Sequence, residues 1–580
     1  MFKKSSRRGQ KLSQKISRFS RVASEASQEH IKENLVEKLP HARNVRLLIL
    51  EWSLLMSVLI LLAITQAFWY SDSNATNSYT SGGTYTEATI GEIKSFNPLS
   101  ATTNSERVLS RLMFATLTAN DYSGHTGVGL ADSIKVNDVG DVWTLHLRDN
   151  LKWSDGEPIT NDDVIFTVKL IQDANTSTSY SSNLSKVELA EDESGNLVFT
   201  LPTAYINFDA ALEVPILPEH ILKDTDPAKI SEHNFSTLNP VTSGPFNYNA
   251  SQIINLETGE QIVYLKSNPY YYGDEPLIST FAIHAFADAD SVVKALNNGL
   301  VTATAELGPT DHAQITSKNI YERETAISNG VYAFINTSSH VLNNRSVRQA
   351  LRQGINMDEI REPLGDELPL DYPILASQHT VSKYPEIPKY NLADAKDALS
   401  GIEFDRDTPI SIITVSNGYL PALAENFKSA IEKLGLKAEV MVYDADQDFL
   451  AQIVRPRNYD ILLYEVELGA DTDLFAYYHS SQASQNGLNL SNYRNTLVDN
   501  IILSARNTMN QEQRANKYET FLNYWVSDVP AIGIYQPNMA YYFNKNTRSF
   551  SEDNHLVTTL DRFEDVNYWG AIPTKLNRTP

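Results

Sequence analysis

Cysteine is absent from all 580 residues. Its absence excludes disulfide staples, thiolate metal sites, a cysteine nucleophile and a lipid-bearing cysteine anchor. No H-E-x-x-H, G-x-S-x-G or G-x-x-x-x-G-K-[ST] pattern occurs, so the common zinc, serine-hydrolase and phosphate-loop signatures are missing as well. The twelve histidines show no close ligand pairing, and neither a metal nor a cofactor is expected. With 71 acidic residues, carboxylate pairs such as Asp471 and Asp473 arise easily, which keeps a hydrolase open as an alternative to a non-enzyme. No internal repeat or long low-complexity tract is present.

The chain has one long hydrophobic run, at residues 47–70, interrupted only by Glu51, Ser53, Ser57, Thr65 and Gln66. At about 1.5 Å per residue it can span a bilayer core of roughly 30 Å, and Trp52, Trp69 and Tyr70 sit near its ends, where aromatic rings favour the interface. No small-residue cleavage site follows it, so it is expected to be an uncleaved signal anchor. Residues 1–46 carry twelve Lys or Arg against four Glu, although the whole chain has a net charge of −23. Positive charge stays inside, which makes 1–46 a cytoplasmic basic arm and places the bulk of the chain outside the membrane. The membrane span accounts for these cations without nucleic acid as a partner. Residues 71–83, small and polar, read as a flexible linker.

Beyond the linker, 142–173 is the most informative stretch. Trp143, Leu145 and Leu147 alternate with polar residues, as in a half-buried strand. Ser154, Asp155 and Gly156 form a turn cluster, and Thr160 with Asp163 gives a capping-box pattern ahead of Val164, Ile165, Val168 and Ile171. Residues 410–416, 422–434 and 436–443 read as strand, amphipathic helix and strand, a βαβ-like unit of an α/β protein.

Trp143, Leu147, Arg148, Trp153, Asp155, Gly156, Pro158, Thr160, Asp163 and Val164 together resemble the signature W-x-h-x-L-R-x-x-h-x-h-x-D-G-x-P-h-T-x-x-D-V, with h apolar. This is the signature of the peptide/nickel-binding family 5 of extracellular solute-binding proteins of ATP-driven importers. Further segments are similar in the same order: Asn97-Pro98-Leu99, Ser243-Gly244-Pro245-Phe246, 268–273, Val347-Arg348-Gln349-Ala350-Leu351 and 528–535. The resemblance covers about 84–575.

It implies a periplasmic-binding-protein-like type II fold (cluster C), α/β, with two lobes around a cleft and an extra small domain, preceded here by one transmembrane helix. Lobe I is expected at 84–125, 241–335 and 530–580, the extra domain at 126–240 and lobe II at 336–529. The function implied is capture of a peptide or related small solute outside the cell membrane and its delivery to an ABC-importer permease and its ATPase subunits. A tethered sensor or adhesion module with the same fold is the alternative. Family members that bind peptides pair an aspartate with the ligand's amino terminus in a W-x-x-D-Y-x-D-P-like segment. The corresponding stretch here is 463–473, where the tryptophan is missing and Leu468 falls at the amine-binding position. Glu465 or Glu467 would then substitute. Asp471 and Asp473 are further ligand-binding candidates, or else cap the helix expected at 474–479. Thr103 and Asn104, after the N-P-L motif, and Tyr535, on the returning strand, complete the expected set.

Overall fold

A computed structural model describes residues 46–577 apart from 74, 121–125, 174–175, 177, 179, 181–183, 185, 366, 379, 445–448, 471, 486 and 553. The chain divides into two units, 1–78 with 574–580, and 79–573. In the first, the backbone from Arg46 to Ser73 is helical. Side chains are described for 50–66, seventeen residues or about 25 Å of helix. Among the described residues, no helix is long and apolar enough to cross a membrane. Within 71–83, expected as an unstructured linker, Ala75–Thr80 forms a strand.

The second unit is built on two large sheets. The first has seven strands, in the spatial order Ile320–Ala326, Asn538–Asn544, Ala303–Thr304, Thr84–Ile90, Thr280–Phe286, Glu260–Ser267 and Phe246–Asn255. The second has six, in the order Leu368–Pro369, Ala531–Gln536, Asn329–Ile335, Ile461–Glu467, Ile410–Val415 and Ala438–Tyr443. Ile410–Val415, helix Leu420–Lys433 and Ala438–Tyr443 make the βαβ unit read from the sequence, with the two strands parallel.

The chain passes between the sheets twice, from Ala326 to Asn329 and from Gln536 to Asn538. Both passages correct the expected lobe boundaries. Asn329–Ile335 and Ala531–Gln536, assigned to lobe I from the sequence, are central strands of the second sheet and antiparallel neighbours there. Their apolar runs are continuous with buried strands on either side, so pattern alone gives no sign of the change of sheet.

A four-stranded antiparallel sheet, in the order Ala131–Val136, Val142–Leu147, Leu197–Thr200 and Glu188–Glu191, forms the small domain with helix Asn161–Gln172. The signature residues here are scaffold. Trp153 is fully buried, and its indole Nε1 donates to Asp163 Oδ2. Asp163 also accepts from the amides of Thr160 and Glu219, each at 2.8 Å. One carboxylate thereby holds a helix start, a turn and a second segment together. Arg148 Nε donates to the Gly129 carbonyl at 2.7 Å.

The core of the small domain is continuous with one face of the seven-stranded sheet, and a separate core fills the second lobe. In the Ser243-Gly244-Pro245 turn, a Cβ on Gly244 would lie 2.6 Å from the Met113 backbone, so this close approach requires glycine. Arg348, from the V-R-Q-A-L segment, is buried and donates to the carbonyls of Leu342, Asn343 and Asp528, again a structural role.

Candidate functional site

A cavity of about 320 Å³ lies where all three parts of the second unit meet. The first lobe supplies Arg107 and Arg111, from helix Asn104–Met113, and Asp561; the small domain supplies Tyr180 and Glu213; the second lobe supplies Glu467. Helical spacing explains the pair of arginines, since residues four apart share a face. The helix itself starts in a capping box: the Glu106 amide donates to Thr103 Oγ1 at 3.2 Å, and Glu106 accepts from the amides of Thr102 and Thr103.

Arg111 is the counter-ion of three carboxylates. It pairs with Glu213 at 2.9 Å, with Asp561 at 3.6 Å and with Glu564. These acids bring one oxygen each within 4.8 Å of one another, a spacing a cation could use, but the guanidinium already occupies that role. Asn120 Nδ2 adds a 3.3 Å hydrogen bond to Glu213. One cation does not offset three buried anions, and the Glu213 carboxyl is pushed up to about 7, mainly by burial, with Asp561 and Glu467 repelling it further and Arg111 opposing.

Glu467 ends strand Ile461–Glu467. Its carboxylate faces the cavity with no hydrogen bond or ion pair among the described residues, whereas its backbone carbonyl accepts from the Tyr477 hydroxyl. Its pKa is raised, first by burial; Arg107 acts in the opposite direction, and Asp561 and Glu465 act with burial. Glu465, two residues earlier on the same face, accepts from Asn329 Nδ2 at 2.7 Å and is raised by burial. Val331 stands opposite Glu465 on one side and Tyr535 on the other, so Glu465 and Tyr535 lie in one row across the sheet. Burial, then the charges of Glu465 and Glu367, raise the Tyr535 hydroxyl above its ordinary range.

Of the residues singled out from the sequence, Glu467 therefore lines the cavity, Glu465 stands two residues before it on the same strand, and Tyr535 shares a row with Glu465 across the sheet. Thr103 caps its helix and also donates to the Glu92 carbonyl at 3.1 Å. Asn104 donates to Glu306 at 3.0 Å, and burial raises Glu306 to about 7. Asp473 accepts from the Phe475 amide at 3.1 Å and pairs with Arg506 at 3.3 Å, just ahead of helix Phe475–Tyr478, whose N-cap is Leu474. Asp471 lies outside the described residues.

Arg107, Arg111, Tyr180, Glu213 and Asp561 went unnoticed. The signals were the i, i+4 arginines after N-P-L and a single acid, Glu213, in the apolar run 210–217. Away from the cavity lining, the Arg506 guanidinium lies 3.8 Å from the Tyr205 ring of the small domain and 4.7 Å from Phe475 of its own lobe.

Two lobes joined by two short passages, a third domain at their side and a charged cavity where they meet define a two-lobed binding protein. The sequence model of the bacterial extracellular solute-binding proteins, family 5, matches residues 127–489, and the chain belongs to that family, whose members bind solutes rather than catalyse reactions. The oligopeptide-binding protein AppA of Bacillus subtilis is 25% identical over 513 residues, spanning 84% of this chain and 92% of AppA. The structure of that protein with a nonapeptide superimposes with a TM-score of 0.71, covering 85% of this chain and 99% of that one at 22% identity. NikZ of Campylobacter jejuni, in complex with Ni(L-His), gives 0.71 at 23% identity, covering 84% and 99%. The fold class expected from the sequence is thus established, α/β with two lobes.

Proposed function

We propose that this protein captures peptides in the interlobe cavity outside the cell membrane and passes them to an ABC-importer permease powered by its ATPase subunits. The observation that carries the reading is Glu467, an acid held in the cavity wall without a protein partner. An ammonium terminus would give it the charge-assisted hydrogen bond it lacks. Glu467 takes the amine-binding role that Leu468 cannot fill. Arg107, also without an ion pair among the described residues, offers a carboxylate partner. Relatives whose names state oligopeptide binding support this ligand class. Glu465, Asp473, Tyr535, Thr103 and Asn104 support the walls through the contacts above, and lobe closure is the step that retains the ligand.

The helix Arg46–Ser73 serves as the membrane anchor, with 1–46 cytoplasmic. Its support is the set of outward-facing apolar side chains, with Leu50 63%, Leu54 65%, Ile60 58% and Leu61 65% exposed, beside the basic arm. The domain division becomes 84–125, 241–326 and 538–573 for the first lobe, 126–240 for the small domain, and 329–536 for the second.

Native mass spectrometry of the full chain in detergent, with bound solute released and identified, tests the reading. Short peptides are expected. A chain that is purified empty and shows no mass shift with a peptide library sinks it.

A further inference from the structure

The peptide reading leaves open what else the ligand carries, and the inference below rests on that reading. Charge in the cavity does not balance. Glu213, Glu467 and Asp561 line it, and Glu564 stands on Arg111 beside them, while Arg107 and Arg111 are the cations of the wall among the described residues. Three carboxylates thus line the cavity of about 320 Å³ against two guanidinium groups, and Arg111 is shared between Glu213, Asp561 and the neighbouring Glu564.

A second observation is independent of the acids. Tyr180, from the small domain, also lines the cavity, and no hydrogen-bond partner is found for its hydroxyl among the described residues. Burial in the wall pushes that hydroxyl up to about 12, so it stays a neutral donor and acceptor. An excess of carboxylates and an unpartnered hydroxyl around a partly open cavity suit an ammonium or guanidinium group, which donates to both. A neutral or acidic occupant would leave the excess negative charge uncompensated. Glu213 already carries part of that cost, since burial and the neighbouring acids Asp561 and Glu467 hold its carboxyl near 7.

We infer that the cavity selects peptides bearing a lysine or arginine side chain, the amino terminus on Glu467 and the basic side chain against Glu213 and Asp561, beside the Tyr180 hydroxyl.

Isothermal titration of the full chain in detergent with Ala-Ala-Ala, Ala-Lys-Ala and Ala-Glu-Ala tests this. Ala-Lys-Ala is expected to bind about tenfold or more tightly than Ala-Ala-Ala, with Ala-Glu-Ala weakest. In Glu213→Gln the ratio of lysine to alanine peptide should fall to about threefold or less, because one of the acids facing the basic side chain is gone. Equal affinity for the three peptides overturns the charge selection and leaves peptide capture standing. Binding of none of them to the folded chain overturns both. Glu213 also holds Arg111, so thermal unfolding checks the variant. The three-peptide comparison on the natural sequence decides the matter even where the variant fails to fold.

Discussion

Two buried arginines of the first lobe show opposite ways of handling charge. Arg562 meets a single acid: its Nε and Nη2 reach Glu87 Oε1 at 2.9 and 2.6 Å, and Glu87 Oε2 accepts from the Tyr541 hydroxyl at 3.0 Å. Both partners are sealed, at 2% and 0% side-chain exposure. Arg111 instead meets three acids on the wall of a cavity. The matched pair ties the C-terminal segment to a central strand and has no group left over. The unmatched cluster leaves negative charge facing open space, and this unfilled electrostatic demand is what the proposed ligand site rests on.

The sharpest way to break this contrast is Arg562→Met, which strands Glu87 in the core. Equilibrium unfolding in denaturant should show a loss of about 3–5 kcal/mol. A loss under about 1 kcal/mol would mean that the pair is not the tie described here.

Glu213 of the unmatched cluster, with two other buried acids, should show itself through pH. Glu213, Glu306 and Glu367 are all held near 7 in the fold, chiefly by burial, against an ordinary value of 4.5. Between those values the folded chain binds more protons than the unfolded one, so stability falls as pH rises through that window. The melting temperature is therefore expected to be higher at about pH 5.5 than at about pH 8, and Glu213→Gln should flatten part of the slope. An equal or opposite pH dependence in calorimetry would show that these acids are already compensated.

Arg506 extends the comparison to a cation shared between the second lobe and the small domain. Replacing Tyr205 by alanine removes a ring contact worth about 0.5–2 kcal/mol and should shift the protein toward an open, larger-radius form in small-angle scattering; Tyr205→Phe keeps the ring and should not. The same profile for both variants would leave the contact without a role in closure.

Local features of this fold were legible because they are periodic. The alternation of Trp143, Leu145 and Leu147, the Thr160–Asp163 cap and the 410–443 unit all follow from neighbours in sequence. The change of sheet at Ala326–Asn329 was not, since Asn329–Ile335 is as apolar as a strand of either sheet and only its partners Ile461–Glu467 and Ala531–Gln536 decide where it goes. At the site, Glu467 stood out as an acid at the end of a strand near the position the family uses. Arg111, Glu213 and Asp561 did not, because their meaning lies in meeting one another across 102 and 450 residues of sequence. Thr103 shows the converse: its proximity to N-P-L suggested contact with ligand, while its hydroxyl serves its own helix.

The two passages between the sheets run side by side, with the Ile327 amide donating to the Pro537 carbonyl, and on the proposed capture reading they would serve as the hinge pin. Two adjacent strands bend and twist far more readily than they stretch, so the lobes can rotate about the line through Ala326–Asn329 and Gln536–Asn538 but cannot slide along it; Pro537 in the second passage removes one torsion from that freedom. Residues beside the pin barely travel. Glu465 keeps Asn329 as its partner however far the lobes part, while Arg506 and Tyr205, carried by different bodies, must separate. On the proposed capture reading, closing about this line would return Glu467 to the same place beside Arg107 and Arg111, so the cavity wall would be rebuilt in the same register each time.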